Sequence, residues 1–437
     1  MTQTTKSAVE PILPVRVGKG GVHYVRGIKA GRWIFTTGNM AQDFGRGIAE
    51  DVISPRLPQA GRPKNEKEAE RVFDHIEEVL RAAGTDWANV VRVDQYYPRP
   101  SAVDHYHVAR RARLGNLIPP STSIIMQNLL LADAEMDVQL IAAIPESGFT
   151  VEHVKQKDLA GHPTSGYSPA LRAGDFVFVA GGTASAVGGD PGRHGIGEAA
   201  QRPEFSQWRG EPIKLETEYV INKRIIPSLE LGGSSLANVV KAQVYMTHLE
   251  DFASFNFVWR NYFPERPPVT TLVPAPKEAL GNRNARIEIN VIALANNGAT
   301  KRTVIDTDVN TGYEASSIAI HAGDLLFLSG LMGIDRNGLV NSAVIDPRQA
   351  NLQSSIRAQA ECILQNAEKI CEAAGTSLAN IVRAQHFLTD ISDFYGVYQV
   401  WQEHLPGAPI PFSAIEVPSP MPVPGCTLLM DLWFYAP

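Results

Sequence analysis

Apolar residues recur at steps of three and four along Ala69, Val72, Phe73, Ile76, Val79, Leu80 and Ala83, and the series stops at Gly84. This spacing predicts one buried helix face closed by a glycine. The pattern returns at Ile356, Ala360, Ile363, Leu364, Ala367, Ile370, Cys371 and Ala374 before Gly375. A matching stretch in the middle of the chain contains Pro227, which has no N–H to donate, so its helix is expected to break or kink there. Around these helices lie short β-rich runs. Tyr24–Gly38, Tyr167–Gly181 and Tyr313–Gly330 each turn at an Ala-Gly pair, a hairpin signal between two strands.

The phrase Gly-Ser/Thr-x-x-Ala-Asn-Val/Ile-Val follows each helix, through Thr85–Val91, Ser234–Val240 and Thr376–Val382. Strands are expected directly after it at Val90–Tyr97, Val239–Thr247 and Ile381–Thr389, then second helices near Val103–Leu114, Phe252–Phe263 and Phe394–Leu405. A period of about 145 residues is far longer than a solenoid unit and has the size of a whole domain. The chain therefore reads as three α+β copies, 1–148, 149–298 and 299–437, each of order β-β-α-β-α-β with room for one more early strand.

Composition supports three soluble modules and narrows their partners. The 437 residues are 44% hydrophobic, enough for three separate cores, and a net charge of −6 gives no electrostatic footprint for nucleic acid or an anionic membrane. The polar start Met1–Glu10 and the absence of a long apolar run point to a cytoplasmic chain. Cys362, Cys371 and Cys426, all in copy three, do not make a disulfide framework, and the first two fit helix core positions. No metal-ligand spacing is present, and neither a metal nor a cofactor is expected.

Copy two carries Tyr167-Ser-Pro-Ala, Phe176-Val-Phe-Val-Ala-Gly, Asp251-Phe-Ala-Ser-Phe-Asn256, Tyr262-Phe-Pro, Pro267-Pro-Val-Thr-Thr and Ile287-Glu-Ile-Asn. In these it resembles the RidA/YjgF family of reactive-intermediate (enamine and imine) deaminases, and copies one and three resemble the family more weakly in the same order. The resemblance implies chorismate-mutase-like units, which in the family are typically homotrimeric with ligand clefts between subunits. Three tandem copies then imply an intrachain pseudo-trimer whose clefts are free to diverge.

Carried over by position, the family's carboxylate-binding arginine falls on Ser121, Val269 and Phe412, none of them basic. Its water-positioning glutamate falls on Gln139, Glu288 and Leu429, so Glu288 is expected to stand alone as the acid, either catalytic or an ordinary strand residue. The polar position of the second helix maps to His107, Asn256 and Tyr398. The oxyanion-holding turn maps to Thr37-Gly38, Ala180-Gly181 and Ser329-Gly330, and a tyrosine heads each copy at Tyr24, Tyr167 and Tyr313. The resemblance thus implies a hydrolytic deaminase acting on a C–N bond, with Glu288, Asn256 and Thr271 as catalytic residues. Tyr167, Gly181, Val269, Tyr24, His107, Ser121, Tyr313, Ser329 and Phe412 are expected to line the substrate. With the arginine replaced by Val269 and Phe412, a neutral, ring-bearing or aromatic-derived small molecule is expected, unless Arg260, Arg266 or Arg286 reaches the cleft.

Other readings remain beside this one. Arg92, Lys241 and Arg383 stand at equivalent strand positions and would ring a pseudo-threefold axis, either binding an anion or forming salt bridges. Barbiturase and cyanuric acid hydrolase share a pseudo-threefold layout with Ser-Lys pairs, which makes a ring-opening amide hydrolase one alternative. A non-catalytic ligand-binding pseudoenzyme is the other. The endoribonuclease label attached to the family is disfavoured by the acidic balance. His105 and His107 lie two apart on a helix and make a poor chelate. The Gly-rich segment Gly188–Gly197 with His194, and an insertion from Gln42 to Pro63, are read as mobile loops or cleft lids. A homodimer of pseudo-trimers is the simplest further assembly.

Overall fold

A computed structural model describes residues 8–18, 21–53, 61–154, 166–187, 192, 195–208 and 210–437. His194 and most of the Gly188–Gly197 segment lie outside the described residues, as does part of the Gln42–Pro63 insertion. Copy one contains β1 (Glu10–Val17), β2 (Val22–Ala30), β3 (Trp33–Thr36), α1 (Lys64–Ala82), β4 (Val90–Tyr97), α2 (Ser101–Leu114), β5 (Ser121–Ile125), β6 (Asn128–Leu129) and β7 (Asp137–Ala143). Copy two contains β8 (Val151–Val154), β9 (Ala170–Ala173), β10 (Phe176–Thr183), α3 (Pro212–Val220), α4 (Ile226–Leu231), β11 (Ser234–Met246), α5 (Phe252–Tyr262), β12 (Val269–Pro274) and β13 (Ile287–Ala295). Copy three contains β14 (Arg302–Ile305), β15 (Ala319–Ala322), β16 (Leu325–Leu328), the short β17 (Leu331–Met332), β18 (Ile334–Asp335) and β19 (Gly338–Leu339), then α6 (Ser355–Ala373), β20 (Ile381–Leu388), α7 (Phe394–His404), β21 (Phe412–Glu416) and β22 (Leu428–Tyr435).

The three sheets share one strand order: β1-β2-β3-β7-β4-β5, β8-β9-β10-β13-β11-β12 and β14-β15-β16-β22-β20-β21. Each begins with the additional early strand. In each, the one parallel pair (β4 with β5, β11 with β12, β20 with β21) is joined by the second helix, the crossover that a parallel connection needs. The third sheet is extended by copy one, whose β6 pairs Leu129 with Ile415 and Asn128 with Glu416. The chain's first and last units are thus stitched by backbone hydrogen bonds.

The sheets are buried on both faces, and alternation along the strands sorts the residues. In β10, Val177 and Val179 face the copy's own helices, whereas Phe176 and Phe178 join a cluster that all three copies share. Leu326 and Leu328 of β16 likewise face α6 and α7, while Leu325 and Phe327 face inward. The shared cluster is aromatic: Trp33 meets Phe149, Phe176 and Phe178 edge-on, Phe176 meets Phe327, and Trp433 meets both Phe327 and Phe35. Such contacts contribute about 0.5–1.5 kcal/mol each beyond the area they bury. They tie copy one to two, two to three and three to one, which makes the pseudo-trimer a closed ring.

The expected break at Pro227 takes a specific form. Between α3 and α4 the helix widens to a π turn over Ile221–Ile225, and Pro227 sits in the first turn of α4, where a missing N–H is tolerated. That turn carries Arg224, whose Cβ lies 3.0 Å from the place a Cβ on Gly182 would occupy. Cys371 and Cys426 are buried, Cys362 is half-buried, and all three are free thiols.

Candidate active site

Strand register identifies the residues that occupy equivalent places. Asp137 lies opposite Tyr96, Glu288 opposite Tyr245 and Leu429 opposite Phe387. The partner of Glu288 in copy one is therefore Asp137, and Gln139 belongs with Asn290 and Asp431. The expectation that placed Gln139 at the acid position is off by two residues. A two-residue slip keeps every side chain on its own face, so hydrophobic alternation cannot detect it.

Each of these positions points at a glycine of its own copy, beside a seam with another copy. A side chain on Gly181 would collide with Glu288 Oε1 and lie 2.9 Å from Thr122 Oγ1 of copy one. On Gly38 it would collide with Asp137 Oδ2 and lie 3.0 Å from Ser413 Cβ of copy three. On Gly330 it would lie 2.9 Å from Leu429 Cδ1 and 3.1 Å from Thr271 Cγ2 of copy two. The head of each copy is thus completed by the Pro-rich strand of the copy before it, cyclically. Three clefts result, and their chemistry differs.

The cleft between copies one and two has the fuller polar set. Burial pushes the Glu288 carboxyl up to about 8, against a hydrogen bond from the Gly281 N–H and the charge of Arg224, with Asp94 adding to the rise. Thr122 is held by Asn290, whose Nδ2 donates to Thr122 Oγ1 at 3.0 Å while its Oδ1 accepts from Arg92 at 2.9 Å. Tyr167 is half-buried. Burial raises its phenol, and the charges of Arg224, Glu288 and Arg110 all reach it. Ser121, where the resemblance puts an arginine, accepts a 3.3 Å hydrogen bond from Arg110 Nη1. Arg110 is buried at 1% exposure on α2 and lies over the Tyr106 ring at 5.3 Å. A guanidinium therefore does reach this cleft, from a helix rather than from the strand. Arg260 and Arg286 are engaged with Glu314 and Asp251, and Arg266 is exposed. His107, one turn before Arg110, faces an open cavity of about 580 Å³ along α2, lined also by Asp104, Val108, Arg111 and Ala112.

The other expected site residues do not gather around Glu288. Thr271 lies at the seam with copy three, where its Oγ1 donates to Asp431 at 3.0 Å and accepts from Lys241 at 2.8 Å. Val269 packs in the shared apolar cluster. Asn256 is half-buried on α5, the helix whose Phe252 packs against Tyr313 of copy three. Ser329 binds Ser316, the Ser317 carbonyl and the Thr270 N–H, stitching the same seam. With Leu429 in place of an acid, the cleft between copies two and three has no carboxyl at this position. Tyr24 and Phe412 meet at the seam of copies one and three, ring centres 5.1 Å apart. The catalytic grouping of Glu288 with Asn256 and Thr271 is therefore corrected: the acid and the Pro-rich strand of one copy face different neighbours.

The three cations do ring the axis, and each reaches the next copy. Arg92 bonds Asp94 and donates to Gln243 and Asn290 of copy two, Lys241 donates to Asp431 and the Leu328 carbonyl of copy three, and Arg383 donates to Asp94 of copy one. All are almost fully buried. Burial lowers the Lys241 amine and Asp431 opposes it. The Lys241–Thr271 pair resembles a hydroxyl–amine dyad, yet its amine is already held by a carboxylate and a carbonyl, so the ring reads as salt-bridged structure.

A glycine facing a buried acid makes a direct prediction. Gly181→Ala is expected to displace the Glu288 carboxyl and cut turnover by about tenfold or more, whereas Gly84→Ala, a positive-φ glycine with nothing within 4 Å, affects stability only. Steady-state rates and melting curves of the two variants separate these effects.

The pattern for the Endoribonuclease L-PSP family matches at 19–144, 158–295 and 309–422, which together cover most of the chain. The chain belongs to this family, as three tandem RidA-like domains. A RutC family protein of Pyrococcus abyssi is 34% identical over 31% of this chain and 90% of its own length. The chloroplastic Reactive Intermediate Deaminase A of Arabidopsis thaliana is 28% identical over 29% of this chain and 57% of its own length. Among solved structures, RidA from the Antarctic bacterium Psychrobacter is 28% identical and matches 30% of this chain and 98% of its own, with a TM-score of 0.25. Each relative corresponds to one L-PSP unit, whereas this chain carries three. Among the described residues no helix is long and apolar enough to cross a membrane, and no group of three or more His, Cys, Asp or Glu could hold a metal.

Proposed function

We propose that this L-PSP-family chain hydrolyses the C=N bond of a small imine or enamine in the cleft between copies one and two. The observation that carries the reading is the buried Glu288 carboxyl facing Gly181 and, across the seam, Thr122, whose neighbour Ser121 holds Arg110 of the same copy. The likeness to a reactive intermediate deaminase supports the same chemistry. A carboxyl shifted to about 8 is protonated in most molecules at neutral pH, so it can deliver a proton to an enamine carbon and leave an iminium. The resulting carboxylate takes a proton from water as the water oxygen bonds to the iminium carbon. That proton then passes to nitrogen, and as the C–N bond breaks the hydroxyl proton returns to the carboxylate, so that a carbonyl and ammonia leave and the carboxyl is restored.

Arg110 and Arg224 make this cleft cationic while Glu288 is neutral, which favours a substrate with a carboxylate, such as a 2-imino acid. This narrows the neutral substrate expected from Val269 and Phe412, because those two residues belong to other seams. Ammonia release from 2-imino acids generated in situ is the test. Arg110→Leu is expected to raise KM by about tenfold or more for imino acids, the cost of one charge-assisted hydrogen bond, and to leave imines without a carboxylate unaffected. No ammonia release above the uncatalysed rate would overturn the activity, and an unchanged KM would overturn the anchor.

A further inference from the structure

The cleft between copies one and three repeats the geometry of the Glu288 cleft with different side chains. Asp137 Oδ2 and Cβ of Ser413, the carbon that carries its Oγ, flank Gly38 as Glu288 Oε1 and Thr122 Oγ1 flank Gly181. Asp137 and Ser413 are buried, at 0% and 4% exposure, and neither Asp137 Oδ2 nor Ser413 Oγ has a hydrogen-bond partner. Two orphaned polar atoms converging from different copies is a costly arrangement unless something satisfies them. Oδ1 of the same carboxyl is already used, accepting a 3.3 Å bond from Gln139.

The surroundings specify what would satisfy them. Phe412 stands where the other cleft has Ser121, and its ring packs at 5.1 Å from Tyr24, 4.7 Å from Phe394 and 6.4 Å from Tyr398. Trp401 stands on α7 where α2 has Arg110, and its indole donates to Nε2 of His386. The other His386 nitrogen faces the Ser413 carbonyl, so the imidazole is neutral, with burial pushing it down to about 4. Arg26, the nearest guanidinium on copy one, is tied to Glu78 and the His75 carbonyl. Arg383, whose charge also reaches Asp137, is held by Asp94, so among the described residues the cations near this cleft are already paired, and its walls are aromatic. Half-buried Phe44, with its ring 6.2 Å from Tyr24, is the outermost of these rings.

We propose that the cleft between copies one and three is a second binding site, for an uncharged aromatic amide or N-heterocycle whose N–H and acceptor pair with Asp137 and Ser413. It differs from the cationic cleft in charge and in lining, and its failure would leave the Glu288 reading untouched. The reading accounts for both orphaned oxygens with one planar ligand. It also explains why the acid survives here while copy three has replaced it with Leu429.

Fluorine NMR titration of the full chain with 4-fluorobenzamide, with 4-fluorobenzoate as the anionic control, tests the proposal. Saturable amide binding that 4-fluorobenzoate does not displace is expected, the benzoate being free to occupy the separate Arg110 cleft. Asp137→Leu, which installs the residue that copy three uses at this place, should abolish amide binding. Ser413→Ala should weaken it about fivefold or more, and Glu288→Gln should leave it unchanged. Absence of saturable binding up to about 10 mM, well above a weak Kd, would overturn the proposal. So would displacement of the amide by benzoate, or amide binding that survives both Asp137→Leu and Ser413→Ala. Because Ser413→Ala changes a single hydroxyl, it keeps the test decisive if Asp137→Leu does not fold.

Discussion

Glu288→Gln is expected to lower kcat for imine hydrolysis by about 10²–10⁴-fold, the usual contribution of a positioned acid–base group. Glutamine keeps the size and the hydrogen-bonding edge of the carboxyl but cannot take a proton from water. In the wild type, kcat/KM for a substrate that arrives as the imine and needs Glu288 only as the base should rise with pH through about 8, where the free carboxyl ionises, and this limb should vanish in the variant. Stability moves the other way. A carboxyl whose pKa is raised from its ordinary 4.5 to about 8 holds a proton in the folded state that the unfolded chain has released. Its stabilising contribution is full below 4.5 and is lost as pH rises toward 8, at up to about 1.4 kcal/mol per pH unit. The variant should therefore gain stability relative to wild type across that window and unfold no earlier at neutral pH. Urea titrations at pH 5 and pH 8 read the difference. Loss of activity together with loss of stability would instead mark Glu288 as a structural strand residue.

Asp94→Asn is expected to be the most destabilising single change, by about 3–5 kcal/mol, because it removes the carboxylate that two buried guanidiniums share. Asp94 is 1% exposed and accepts from Arg92 within its own strand and, at 2.6 Å, from Arg383 of copy three. Burial by itself would raise this carboxyl, but the charges of Arg92 and Arg383 outweigh burial and hold it below its ordinary value. Its stabilising contribution is present above its ordinary pKa of 3.8 and is lost as pH falls through its depressed folded value. Asparagine keeps the shape and leaves both cations without a counter-charge. Denaturant unfolding should show a lower midpoint, and the acid limb of wild-type unfolding should be absent from the variant. A midpoint unchanged by the substitution would mean that water, and not Asp94, neutralises the ring.

Much of the fold was legible because it rests on local rules repeated three times. The apolar face of Ile356, Ala360, Ile363, Leu364, Ala367, Ile370 and Cys371 is buried as its spacing requires, and the Ala-Gly turns join β2 to β3, β9 to β10 and β15 to β16. Pro227 announced a disturbed helix, although only the folded chain shows that the disturbance is a π turn carrying Arg224 toward Gly182. The site was less legible for two reasons. Asp137 hid behind Gln139 because a slip of two residues in a strand changes no burial pattern. Arg110 hid on a helix because nothing in α2 marks it as the replacement for a strand arginine; its burial, which sets it apart from Arg111 and Arg113, shows only in the folded chain.

The sequence by itself determined three copies, their α+β order and the loss of the strand arginine from every copy, since periodicity, turn chemistry and residue identity are local properties. Tertiary structure decided which residues meet. Closing the ring pairs the head of each copy with the tail of another, so Glu288 meets Thr122, Asp137 meets Ser413, and Thr271 is taken into the central salt bridges. Those pairings join positions more than a hundred residues apart, and they follow from how three sheets pack their inner faces around Trp33, Phe176, Phe327 and Trp433.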